Sequence, residues 1–76
     1  MLELLEYVVK NIVKNKEAVQ ITEKQEGKTK VCTVLVDKAD IGAVIGKGGN
    51  TAQAIRTVVK SMSSKERVVI KFNSNN

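Results

Sequence analysis

Seventy-six residues leave room for one domain and one core, and apolar runs no longer than three residues cannot span a membrane. A 42% hydrophobic and 28% charged chain with one cysteine and no histidine reads as a soluble globular protein, without a disulfide framework or a Cys/His zinc site. Thirteen Lys and Arg against eight Asp and Glu leave a net charge of +5, which favours a polyanionic partner, and so small a core has no apolar residues to spare for an enclosed active site.

Residues 1–16 read as an amphipathic helix. Leu2, Leu5, Val9, Ile12 and Val13 recur at helical spacing, Leu4 and Val8 widen the stripe, and Glu6 and Lys10 stand four apart in the favourable order. Acidic residues stand where a secretory signal would carry basic ones, so the chain is expected to remain in the cytoplasm. Tyr7 reads as a core-edge residue. From Ala18 the period changes to two, with Val19 and Ile21 alternating with Gln20 and Thr22 as in a half-buried strand.

The polar stretch 23–28, containing Gly27, reads as a hairpin loop. Thr29 to Val36 is the strongest strand, with Cys32, Val34 and Val36 on its buried face and Val31, Thr33 and Leu35 on the other. Cys32 is expected to be a small core residue, since no histidine exists to activate it. Asp37 is a candidate N-cap with Asp40 in the first turn of a short helix that carries Ile41, Val44 and Ile45 and stops at Gly46.

Three glycines within Gly46-Lys47-Gly48-Gly49 form a loop that no helix interior would accommodate. Asn50 or Thr51 can cap the next helix, Thr51 to Met62, whose predicted inner face is Ala52, Ile55, Val58, Val59 and Met62. Residues 61–65 break it. Arg67 to Phe72 is a closing strand with Val68, Ile70 and Phe72 inward and Lys71 outward, and 73–76 are predicted to fray. The order α-β-β-α-α-β predicts an α+β two-layer sandwich. Its hairpin and right-handed crossover make a three-stranded mixed sheet with the helices on one face.

The glycine loop is the one chemically pointed feature. It is not a P-loop: Gly42 lies one residue too near Gly46, and Gly48 stands where the metal-ligating hydroxyl belongs. It is not a dinucleotide fingerprint either, because Thr51 takes the third glycine position and the loop follows a helix. A plain helix-helix turn would need only one glycine. Glycines at both ends allow close approach of another backbone, N–H groups at the next helix start can face phosphate oxygens, and Lys47 adds a mobile charge. With one Tyr, one Phe and no Trp, base stacking on aromatic platforms is poorly supplied, so charge and backbone geometry must carry any nucleic-acid binding.

Ile45-Gly46-Lys47-Gly48-Gly49 between two helices resembles the Ile-Gly-x-x-Gly core of a KH domain. The element order resembles the type II KH fold. The Leu-Leu-Glu-Tyr-Val-Val segment and the run Asp40 to Ala52 resemble the bacterial stand-alone KH-domain RNA-binding protein A (KhpA) family. The resemblance implies one KH domain over 1–73 followed by a frayed tail at 74–76. It implies a cytoplasmic, non-enzymatic RNA binder without a cofactor, an RNA chaperone or post-transcriptional regulator linked to cell elongation and cell-wall homeostasis. Its partners would be single-stranded RNA, a second copy, or a larger KH-containing RNA-binding protein.

Carried over by position, Gly46, Lys47, Gly48 and Gly49, with Asn50 and Thr51 opening the next helix, would clamp the sugar-phosphate backbone. Ile41, Ile45 and Ala52, with Val34 or Val36 behind them, would line a groove floor, although Ile45 and Val36 fit a plain core role equally. Arg56 and Lys60 fit phosphate contact and simple solvation alike, and Lys28 and Lys30 would border the other wall. The sequence departs from the common KH pattern in Ala52, where a larger aliphatic residue is usual, and in Gly48, which adds flexibility inside the loop. The rival reading is a protein-interaction module on a degenerate KH fold that dimerises or docks on another RNA-binding protein. A membrane-surface role has only net charge behind it, because the first helix mixes Glu and Lys on its polar face.

Overall fold

The computed structural model describes residues 2–62 and 67–75. Helix α1 (Leu2–Lys10) is followed by a short 3-10 turn (Lys16–Ala18), then by strands β1 (Gln20–Glu26) and β2 (Thr29–Val36). Helix α2 (Ile41–Ile45), a turn at Lys47–Gly49, helix α3 (Asn50–Ser61) and strand β3 (Arg67–Ser74) complete the order α-β-β-α-α-β. The sheet runs β1-β2-β3, antiparallel between β1 and β2 and parallel between β2 and β3. This is the expected α+β sandwich with a three-stranded mixed sheet.

The buried set explains the layering. Cys32, Val34 and Val36 from β2 and Val68 and Ile70 from β3 point at Leu5, Val9 and Val13 of the first helical segment and at Val44, Ile55 and Val59 of α2 and α3. Phe72 packs at the edge of this cluster. Val31 and Leu35 are only half-buried on the opposite face, as the alternation predicts.

Several boundaries differ from expectation. Helix α1 ends at Lys10 instead of Lys16, with only a further turn in which the Val13 N–H donates to the Val9 carbonyl. The next two amides, of Lys14 and Asn15, donate to the Asp40 carboxylate at 3.1 and 3.0 Å, so the helix cannot continue. Strand β1 starts at Gln20, beyond Ala18, and persists to Glu26. The hairpin loop therefore shrinks to Gly27-Lys28, because Glu23, Lys24 and Gln25 pair with β2 despite their polarity. At the other end β3 runs to Ser74, and the Asn75 amide donates to the Val36 carbonyl at 2.9 Å. The predicted fraying thus fails for residues 73–75, since β2 supplies backbone partners there. Residue 76 and most of the predicted break at 61–65 lie outside the described residues.

Helix α3 turns only Ala52, Ile55 and Val59 inward; Val58 and Met62 are 48% and 67% exposed, and Tyr7 on α1 is 69% exposed. The sheet is narrow enough that one stripe of α3 suffices to cover it. Replacing Val58 with lysine is accordingly expected to change stability by less than about 0.5 kcal/mol in urea denaturation.

Candidate nucleic-acid interface

Strands β2 and β3 are parallel, so α2 and α3 must carry the chain back along the sheet between the end of one and the start of the other. Twelve residues of α3 span about 18 Å, which places the glycine loop near the Val36 and Ser74 ends of the strands. The hairpin tip lies at the other end of β2. Lys28 stands at that tip, and Lys30 faces Glu23 at 3.9 Å. The strand packed against both α2 and α3 is β3.

The loop is built on three left-handed glycines. Gly46 has φ +78° and ψ 171°, Gly48 φ +63° and ψ 17°, and Gly49 φ +80° and ψ 10°. A Cβ on Gly46 would collide with Thr51, lying 2.7 Å from its Cβ and 2.8 Å from its backbone nitrogen, so only glycine lets the loop fold back onto the first turn of α3. Gly48 has open space around it. The Gly46 N–H donates to the Gly42 carbonyl at 2.8 Å and the Gly49 N–H to the Gly46 carbonyl at 3.1 Å. Among the described residues, the N–H groups of Lys47 and Gly48 find no acceptor within the chain. Two exposed donors and the Lys47 ammonium thus stand at the positive end of the α3 dipole.

The remaining predicted residues divide clearly. Asn50 is exposed in the first turn of α3, while Gly49 holds the N-cap position with no side-chain cap, so neither Asn50 nor Thr51 caps the helix. Ala52 is buried and Ile41 packs against the core cluster, whereas Ile45 is half-buried without joining that packing and offers apolar surface beside the loop. Val34 and Val36 are fully buried, so they support the floor from behind and cannot touch a ligand.

Arg56 is neither free nor merely solvated. Its Nε donates to the Ile70 carbonyl at 3.1 Å, and its guanidinium lies 5.2 Å from the centre of the Phe72 ring. A sequence pattern cannot reveal this, because it depends on β3 exposing an unpaired edge toward α3. Lys60 is exposed, but ten residues along α3 put it about 15 Å from the loop.

Two titratable groups elsewhere in the fold are displaced from their ordinary range. Cys32 is fully buried, and burial, aided by the nearby Glu23 carboxylate, pushes its thiol above the ordinary range. Asp37 does not cap α2: its carboxylate accepts from the Ala39 N–H at 2.9 Å and from the Asn15 side chain at 3.0 Å, which together hold it below the ordinary carboxylate range. A cleft whose lining includes Ile12, Asn15, Asp37, Asp40 and Ala43 lies at the start of α2. Among the described residues no cluster of three or more His, Cys, Asp or Glu could hold a metal, and no helix is long and apolar enough to cross a membrane.

The KhpA/KhpB KH-domain family model matches residues 2–73. The chain belongs to the KhpA/KhpB KH-domain family. Among KhpA relatives, the RNA-binding protein KhpA of Chlamydia trachomatis is 43% identical over 70 residues, covering 92% of this chain and 90% of the relative. The RNA-binding protein KhpA of Aquifex aeolicus is 39% identical over 72 residues, covering 92% and 91%. That of Caldanaerobacter subterraneus is 40% identical over 72 residues, covering 92% and 96%. The α-β-β-α-α-β order and the three-stranded mixed sheet described above are those of a type II KH-like fold, with the Gly46–Gly49 segment joining α2 to α3.

Proposed function

We propose that the protein is a non-enzymatic RNA-binding module that grips short single-stranded segments. The Lys47 and Gly48 amides and the Lys47 ammonium take phosphate oxygens, Gly46 and Gly49 let the nucleic-acid backbone approach, and Asn50 and Thr51 frame the helix start. Bases lie along a shallow apolar strip, with Ile45 as its exposed part and Ile41 and Ala52 beneath. Arg56 borders the strip from α3. Lys60 contributes to the general positive field rather than to a defined contact.

The observation that carries this reading is the pair of unsatisfied amides in a positively charged glycine turn. The family membership and the names of the relatives support RNA as the polyanion. A cytoplasmic chaperone or post-transcriptional regulator that bears on cell elongation and cell-wall homeostasis fits this reading. Affinity measured against salt tests it. The logarithm of the binding constant should fall linearly with the logarithm of salt concentration, with a slope of about −0.7 per phosphate neutralised. A flat response would reject phosphate capture.

A second reading has its own support. Val58 and Met62 stand four apart on α3 and both are exposed, an apolar stripe suited to a second copy or to a larger KH-containing partner. Pairing two domains would raise RNA affinity through avidity. As the sole function, a docking module would retain its partner in high salt and show no RNA-dependent change at the glycine loop.

A further inference from the structure

We infer that Asp40 is a positioning residue for the glycine loop, tying the segment after α1 to the helix that presents the loop; the inference rests on the RNA-binding reading above. Asp40 is only 4% exposed, yet among the described residues it forms no ion pair. Its Oδ1 accepts the Lys14 N–H at 3.1 Å and its Oδ2 accepts the Asn15 N–H at 3.0 Å. Its own N–H donates to the Asp37 carbonyl at 2.8 Å, and its carbonyl accepts the Val44 N–H at 3.1 Å as the first bond of α2. Asp37 adds to the same junction by accepting the Asn15 side chain.

Helix α2 has five residues, too few to hold its shape alone. What fixes it is Val44 in the core at one side and the Asp40 clamp at its start. The loop begins one turn later, where the Gly46 N–H bonds to the Gly42 carbonyl. The chain of contact is therefore continuous: Lys14 and Asn15 amides to Asp40, Asp40 to the first turn of α2, and Gly42 to Gly46. A buried carboxylate suits this task because both of its oxygens accept and neither donates. Asparagine in its place keeps the shape but turns one acceptor into a donor facing an N–H group.

The test uses the full chain and a fluorescein-labelled twelve-nucleotide RNA of random sequence. Asp40→Asn is expected to move the amide resonances of Gly46 to Gly49 and to weaken binding about tenfold, as when the binding-competent loop falls to about a tenth of the population. Val68→Ala, in the core at the hairpin end of the sheet, serves as the control for general destabilisation. At equal loss of melting temperature it should keep its affinity within about twofold and leave the loop resonances in place. Binding by Asp40→Asn within twofold of the parent with unmoved loop resonances would overturn the inference, as would an equal loss in Val68→Ala.

A second measurement needs no variant. Because coupling is reciprocal, RNA that saturates the Gly46–Gly49 amides should also shift those of Lys14 and Asn15; silence there overturns the coupling. Failure of the parent protein to bind the RNA pool rejects the RNA reading instead, while the loop resonances of Asp40→Asn still decide what Asp40 positions.

Discussion

Alanine at Gly46 is expected to cost about 3–5 kcal/mol, a large part of the stability of a domain this size. Two costs add. The backbone at φ +78° and ψ 171° lies in a region that essentially only glycine occupies, worth about 1–3 kcal/mol. The added methyl also meets the backbone nitrogen of Thr51 at 2.8 Å, and that nitrogen belongs to α3 and cannot step aside without shifting the helix. Alanine at Gly48 faces open space and only the left-handed penalty of about 1–2 kcal/mol. Urea denaturation of the two variants side by side checks the contrast. Equal losses would mean that contact with Thr51 does not govern the loop.

The largest functional effect is expected from aspartate at positions 47 and 48 together. The exchange removes one positive charge, adds two negative ones and lowers the net charge from +5 to +2. It places both new charges beside the free amides, where a phosphate would have to sit. Like-charge juxtaposition of this kind costs several kcal/mol, so RNA affinity should fall by at least about 100-fold. The fold should survive, because Lys47 is exposed, Gly48 has open space, and aspartate tolerates the left-handed conformation better than most residues. A folded double variant that still retains RNA would shift the assignment to the docking function, where Val58 and Met62 would become the residues to replace.

The parts of this fold legible in the sequence are those where one local rule acts alone. Alternation in Thr29–Val36 identified both the strand and its buried face, because a residue's side of a sheet follows from parity. The glycine spacing marks the loop, because few backbones need three such residues in four. The errors fall where a distant partner outweighs local preference. Helix α1 stops early because Asp40, 26 residues away, claims the Lys14 amide. Polar Glu23–Gln25 joins β1 because β2 supplies a ladder, and Asn73 and Ser74 extend β3 for the same reason. Arg56 reads in sequence as suited to phosphate contact and to solvation alike, and only the fold shows its Nε held by the Ile70 carbonyl, while Val58 and Met62 continue a helical stripe wider than the sheet beneath it.

By itself the sequence determined the element order, the side of β2 that enters the core, the KH-type glycine motif and the positive charge that suits a polyanion. Each of these is written in neighbouring residues, through periodicity, composition or backbone freedom. Tertiary structure alone decided where the elements end, which lysines lie near the loop, what Arg56 holds, and that Asp40 joins α1 to α2. Those depend on contacts between residues far apart in the chain, and they exist only once the sheet and helices have closed around one core.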